Sequence, residues 1–155
     1  MKARDEIRRM ASSRLIVLDG ATGTELQALG MPGGVSPELW CLKNPDRLKI
    51  VHRDYLKAGS DIVYTCTFGA NRFKLSEYGQ TEVQGINRDL AILARQAVGE
   101  ECLVAGDIGP TGRFIEPFGD VDFEEAVGVF KEQVRGLLEG GVDLFVIRGT
   151  TVSAE

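Results

Sequence analysis

Four short apolar runs punctuate the chain: LIVLD at 15–19, IVYT at 62–65, LVAG at 103–106 and LFVI at 144–147. They begin 47, 41 and 41 residues apart. Each is rich in Val, Ile and Leu and lacks polar alternation, the pattern of a strand covered on both faces in a parallel sheet. Helical patterns fill the gaps. In NPDRLKIVHRDYLKAG, Asn44 is placed to cap and Pro45 suits the first helical position, where its missing N–H has no partner. Leu48, Val51 and Tyr55 share one face, and Gly59 is placed to end the helix in a left-handed conformation. The next helix aligns Val83, Ile86, Leu90, Leu93 and Ala97. The last opens on Asp122 and Glu125 in a capping-box arrangement, aligns Phe123, Val127, Phe130, Val134 and Leu137, and stops at Gly140–Gly141.

A weak internal echo reinforces the rhythm. LKAGSDIVYT and LEGGVDLFVI share helix end, glycine, aspartate and strand at an offset of 82 residues. Alternating strands and helices with right-handed crossovers fit two architectures, an open doubly wound sheet or part of a closed eight-fold barrel. The pattern leaves both open.

Composition narrows function by exclusion. At 155 residues, 43% hydrophobic and 26% charged, the chain suits one globular domain. A net charge of −5 with mixed signs gives no basic stripe, so no nucleic-acid partner is expected. No apolar run approaches the ~20 residues that span a bilayer, and the charged start MKARDEIRRM is not a secretory signal. Neither membrane attachment nor export is expected. Cys41, Cys66 and Cys102 are an odd number at wide spacing, suggesting neither a disulfide framework nor a zinc-ligand pair, and a reducing cytoplasm fits them.

Chemistry in either architecture gathers at the carboxyl ends of the strands. The first run exits into DGATGTEL, where Asp19 is costly unless a cation, ligand or backbone donor meets it. Gly20 and Gly23 permit close approach, although the loop lacks GxGxxG spacing and a Walker-type lysine. The second exits into TCTFGANRFKL, with Thr65 and Thr67 on one face. The third exits into GDIGPTG, where Asp107 is the only acid–base group. His52 and Arg72 are expected at the surface, Arg72 in an ion pair, and Trp40 is expected to pack a loop.

Together, LDGATGTELQALG, YTCTFGANRFKL and GPTGR resemble the homocysteine S-methyltransferase family, in particular the homocysteine-binding module of cobalamin-dependent methionine synthase. The resemblance implies a (β/α)8 TIM barrel, here reduced to about its first four βα units. It also implies a zinc ion, held by three cysteines, that binds homocysteine as a thiolate. A free thiol with a pKa near ~8.5 is a minority thiolate at neutral pH, and a metal removes its proton. The implied methyl donor is methyltetrahydrofolate through cobalamin, or a sulfonium or betaine. Position by position, Asp19 and Gly20 match the family's amino-acid-binding turn, and Thr65 and Thr67 match its substrate-lining threonines.

Three departures stand beside the match. Cys66 replaces a usual asparagine, with its side chain expected to point away from the pocket. Arg148 stands where the family usually ends its fourth strand in the glutamate that receives the substrate ammonium, so attraction becomes repulsion worth several kcal/mol at ~4 Å and an effective dielectric near ~20. The family's GxNC and GGCC zinc segments are absent from this sequence.

The expected organisation is a helical lead-in at 1–13, half a homocysteine-binding barrel at 14–147, and a non-family tail at 148–155 left by a broken or split reading frame. Isolated, the chain is expected to be inactive and prone to self-association unless a complementary C-terminal half completes it. The competing readings are a non-catalytic half that pairs with another polypeptide, and an open-sheet small-molecule-binding domain.

Overall fold

The computed structural model describes residues 3–149. In chain order the elements are α1 (Ala3–Ser13), α2 (Thr22–Ala28), α3 (Pro37–Lys43), α4 (Pro45–Lys57), β1 (Ile62–Tyr64), α5 (Arg72–Ser76), α6 (Val83–Val98), β2 (Leu103–Ile108), α7 (Phe123–Glu139) and β3 (Leu144–Ile147). The lead-in is helical from Ala3 onward. Of the tail, only Arg148 and Gly149 lie within the described residues.

The sheet is parallel and strictly sequential, β1-β2-β3, with Tyr64 beside Ala105 and Ala105 beside Leu144. Residues 15–19 extend it on the β1 side, again parallel, through a bridge from Leu18 to Ile62. Across four consecutive runs there is no reversal of order of the kind that defines a doubly wound sheet. The described sheet is open.

The first run corrects the expectation of a strand covered on both faces. It is an edge with a single neighbour, tied by Asp19 N–H to Ile62 O (2.9 Å) and Ile62 N–H to Val17 O (3.3 Å). Leu15 is 88% exposed and Val17 50%. An apolar run without alternation reports what a strand could bury, not whether a neighbour is there to bury it. β3 at the opposite edge is likewise only half-buried, with Ile147 exposed.

Helices cover one face of the sheet. Val63 and Val104 pack there with Ala91, Ala94 and Val98 of α6 and Leu137 of α7. Full burial of a leucine such as Leu90 or Leu137 stabilises by roughly 1.5–3 kcal/mol. The other face gathers Ile62, Tyr64 and Ala105 with half-buried Ile16, Leu103, Leu144 and Val146. A third cluster joins α2, α3 and α4 to α6 through Leu26, Cys41, Leu48, Val51 and Leu90.

The internal echo has a structural basis. Asp61 Oδ2 accepts from Val17 N–H (2.9 Å) and its carboxylate is clamped by Arg14. Asp143 Oδ2 accepts from Val104 N–H (2.8 Å) and pairs with Arg95. In both copies the aspartate following the helix-ending glycine staples a new strand to its predecessor. Gly59 and Gly141 precede them with φ of +98° and +81°, the left-handed closure expected.

Three expectations about helices need correction. Asn44 makes no side-chain cap for α4; its Nδ2 donates back to Trp40 O (3.0 Å) and closes α3. α7 is capped by Asp122 as expected, but its buried face is Ala126, Val129, Gln133, Gly136 and Leu137, while Phe123 is 62% exposed. The rotation follows from close helix contact: a Cβ on Gly136 would sit 2.3 Å from Gln84 O, and one on Gly140 2.4 Å from Ala91 Cβ. His52 is fully buried in α4 rather than superficial, and neither ring nitrogen has a partner.

Candidate active site

A cleft of about 700 Å³ opens where the strand-exit loops converge, bordered by Gly20, Glu38, Phe68, Lys74, Asp107 and Arg148. Asp19 sits just behind Gly20, 7% exposed. Its Oδ2 accepts from Tyr64 N–H (3.0 Å), while Oδ1 is buried without a partner. Burial raises its pKa to about 7, and neighbouring Asp107 adds to the rise; the Tyr64 N–H and the Arg148 charge oppose it. A carboxyl left half-satisfied at this depth is a ready acceptor for a cationic ligand. Gly20 packs closely, since a Cβ there would meet Tyr55 Oη at 3.0 Å and the tyrosine side chain would have to shift slightly.

Thr65 and Thr67 are fully buried and face each other at 2.6 Å between hydroxyls. Thr67 Oγ1 donates to Asp107 O (2.7 Å), and Asp107 N–H donates to Thr65 Oγ1 (3.1 Å). The two hydroxyls thus stitch the β1 exit to the end of β2 and fix Asp107. Gln133 of α7 reinforces the stitch by donating to Thr67 O (2.7 Å).

Sequence reasoning missed the pair that Asp107 makes. Arg148 Nε donates to Asp107 Oδ1 (2.8 Å), and its Nη2 pairs with Oδ2. The guanidinium also lies over the rings of Tyr64 (4.5 Å) and Phe68 (5.2 Å). Its charge is therefore compensated internally, which offsets the repulsion expected toward an ammonium. The signal was present, since Asp107 and Arg148 both stand at or beyond strand ends, but pairing them needs the register of β2 with β3. Glu38 was missed too. It accepts from Ser36 Oγ (2.6 Å) and Gly69 N–H (2.7 Å), anchoring the β1 exit loop to α3.

The remaining residues divide plainly. Arg72 forms the expected surface pair with Glu132, and Trp40 packs half-buried on α3. Cys66 directs its thiol to Cys41, 3.9 Å away in the core. Cys102 lies apart, donating to Ser60 O (3.4 Å). Among the described residues no group of three or more His, Cys, Asp or Glu side chains is arranged to hold a metal. The three cysteines do not fit the zinc site that the resemblance implies.

Fold and cleft together define a parallel α/β protein with a cleft at its strand ends. The family model described as Homocysteine S-methyltransferase matches residues 16–153, and the chain belongs to that family. The matched stretch runs past Ile147 and takes in Arg148, where the sequence reading had placed the end of the family-like part. Among solved structures, the homocysteine methyltransferase MmuM from Escherichia coli in its metallated form is similar, with a TM-score of 0.75 and 27% identity over 91% of this chain and 56% of that one. Its oxidized form gives 0.74 and 27% over 90% and 55%. The apo form gives 0.62 and 28% over 90% and 50%. This chain thus spans about half the length of the structures it matches.

Proposed function

We propose that this chain supplies the homocysteine-anchoring part of a homocysteine S-methyltransferase, which methylates the homocysteine thiol to give methionine. The observation that carries the reading is Asp19, a buried carboxyl with one oxygen unpartnered beside the cleft. The substrate ammonium pairs with that oxygen, and the Gly20 turn borders the ligand. Thr65 and Thr67 act from behind, holding Asp107 and through it Arg148 in place.

The complete enzyme is a (β/α)8 barrel in which further strands continue the sequential sheet. Its zinc ligands come from outside the described residues, so this chain by itself is inactive. Methyltetrahydrofolate through cobalamin is one donor the family relationship brings to the complete enzyme. No helix among the described residues is long and apolar enough to cross a membrane, and a cytoplasmic location fits the reduced cysteines.

Titration of the isotopically labelled chain with L-homocysteine, followed by amide NMR, tests the reading. Gly20 and its neighbours are expected to shift, and Asp19→Asn to weaken binding at least about tenfold, the loss of a charge-assisted hydrogen bond. Unchanged affinity in the variant would overturn the assignment of Asp19. Methionine formation is expected only when a polypeptide bearing the cysteine segments is added.

A further inference from the structure

Cys41 and Cys66 stand apart from everything the proposed reaction uses. They are 25 residues apart in sequence, lie on α3 and on the β1 exit loop, and bring their sulfurs to 3.9 Å inside the core. Cys66 is the one described non-glycine residue with positive φ, +56°, a conformation that side-chain-bearing residues seldom adopt. It also borders the cleft and is 9% exposed, whereas Cys41 is fully enclosed. Both sulfurs are buried and face each other, with Cys66 the nearer of the two residues to the cleft. Their proximity suits an attacking and a resolving cysteine once the β1 exit loop opens enough to admit a reagent.

We propose that Cys41 and Cys66 are a redox modification site that closes to an intramolecular disulfide on exposure to a small disulfide compound. On local opening of the β1 exit loop, the Cys66 thiolate attacks one sulfur of the compound, whose S–S bond breaks and releases one thiol. Cys41 then attacks the Cys66 sulfur of the mixed disulfide and expels the second thiol. Two protein thiols are oxidised, one external disulfide is reduced to two thiols, and both protein protons end on the released thiols. The sulfurs must close from 3.9 Å to about 2.05 Å, within reach of side-chain rotation and a small loop movement.

The hydrogen bond with Cys41, followed by burial, holds the Cys66 thiol well above the usual range, and the Cys41, Glu38 and Asp107 charges around it act in the same direction. Only the thiolate attacks, so bridging speeds up about tenfold per pH unit below that pKa. The bridge ties α3 to the loop carrying Phe68 and Gly69, alongside the Glu38–Gly69 bond, and so tightens one wall of the cleft.

The test uses the full chain and cystamine, with intact mass, peptide mapping and thermal melting as readouts. The expected product is about 2 Da lighter, the loss of two hydrogens, links the Cys41 and Cys66 peptides, leaves Cys102 alkylatable, and melts at higher temperature. Cys41→Ser is expected to stop at the mixed disulfide on Cys66, and Cys66→Ser to leave Cys41 unmodified. Refolding the urea-unfolded chain in a cystamine–cysteamine buffer removes access as a limit. Three free thiols after that treatment, or a bridge that uses Cys102, would overturn the proposal. No homocysteine is involved, so failure here leaves the proposed function standing.

Discussion

At neutral pH the Asp19 carboxyl stands near its midpoint, because burial has lifted its pKa from the ordinary 3.8 to about 7. Between those values the folded chain binds more protons than the unfolded one, so Asp19's contribution to stability falls as pH rises and is lowest above about 7. The cost is on the order of a few kcal/mol. Asp19→Asn is expected to remove that slope in urea denaturation between pH 5 and 8, and an unchanged slope would refute the assignment. An arriving ammonium reverses the balance by favouring the ionised form. If homocysteine binds at Asp19 as proposed, binding is expected to release a proton and affinity to rise with pH through 7. His52 has the opposite sign. Burial depresses it from 6.5 to about 4, so stability is full above 6.5 and declines as pH falls through that window. His52→Leu removes both unpartnered nitrogens and is expected to flatten the acid-side decline, measured as melting temperature from pH 4 to 7.

Among the elements, the α6–α7 contact depends most on single atoms. Gly136→Ala and Gly140→Ala each place a methyl against backbone or Cβ atoms closer than 2.5 Å, and each is expected to cost roughly 1–3 kcal/mol in chemical denaturation. Gly128 lies in the same helix with open space around it, and Gly128→Ala is expected to stabilise by about 0.5–1 kcal/mol. If the three variants behave alike, helix propensity rather than interhelical closeness governs this contact. The paired staples, Asp61 to Val17 and Asp143 to Val104, belong to the same scale. Their sequence echo is legible because the same backbone task, holding a new strand against the last, is met twice by the same side chain.

Across the whole molecule, the open sheet sets the behaviour in solution. One edge exposes Leu15, Val17 and Leu18, and the other ends on exposed Ile147. Unpaired strand edges with apolar side chains invite association. The chain alone is expected to self-associate in light scattering, and Leu18→Lys with Ile147→Lys to reduce the apparent mass. A monodisperse wild-type monomer with a sharp cooperative melt would contradict this. A polypeptide supplying further strands is expected to suppress association by covering the same edges.

Much of this was legible in the sequence because it depends on local periodicity. The four apolar runs, the stripe of α6, the Asp122 cap and the Gly59 and Gly141 closures are each fixed by residues within a few positions of one another. The family motifs at 18–30 and 64–75 were likewise readable as strings. Tertiary structure alone decided which runs were edges, that His52 is enclosed, and that Gly136 and Gly140 face α6. It also decided that Asp107 meets Arg148 and that Cys41 meets Cys66. Each of these joins side chains from different βα units or sets exposure by an absent neighbour, and no local pattern encodes how two units are placed against each other.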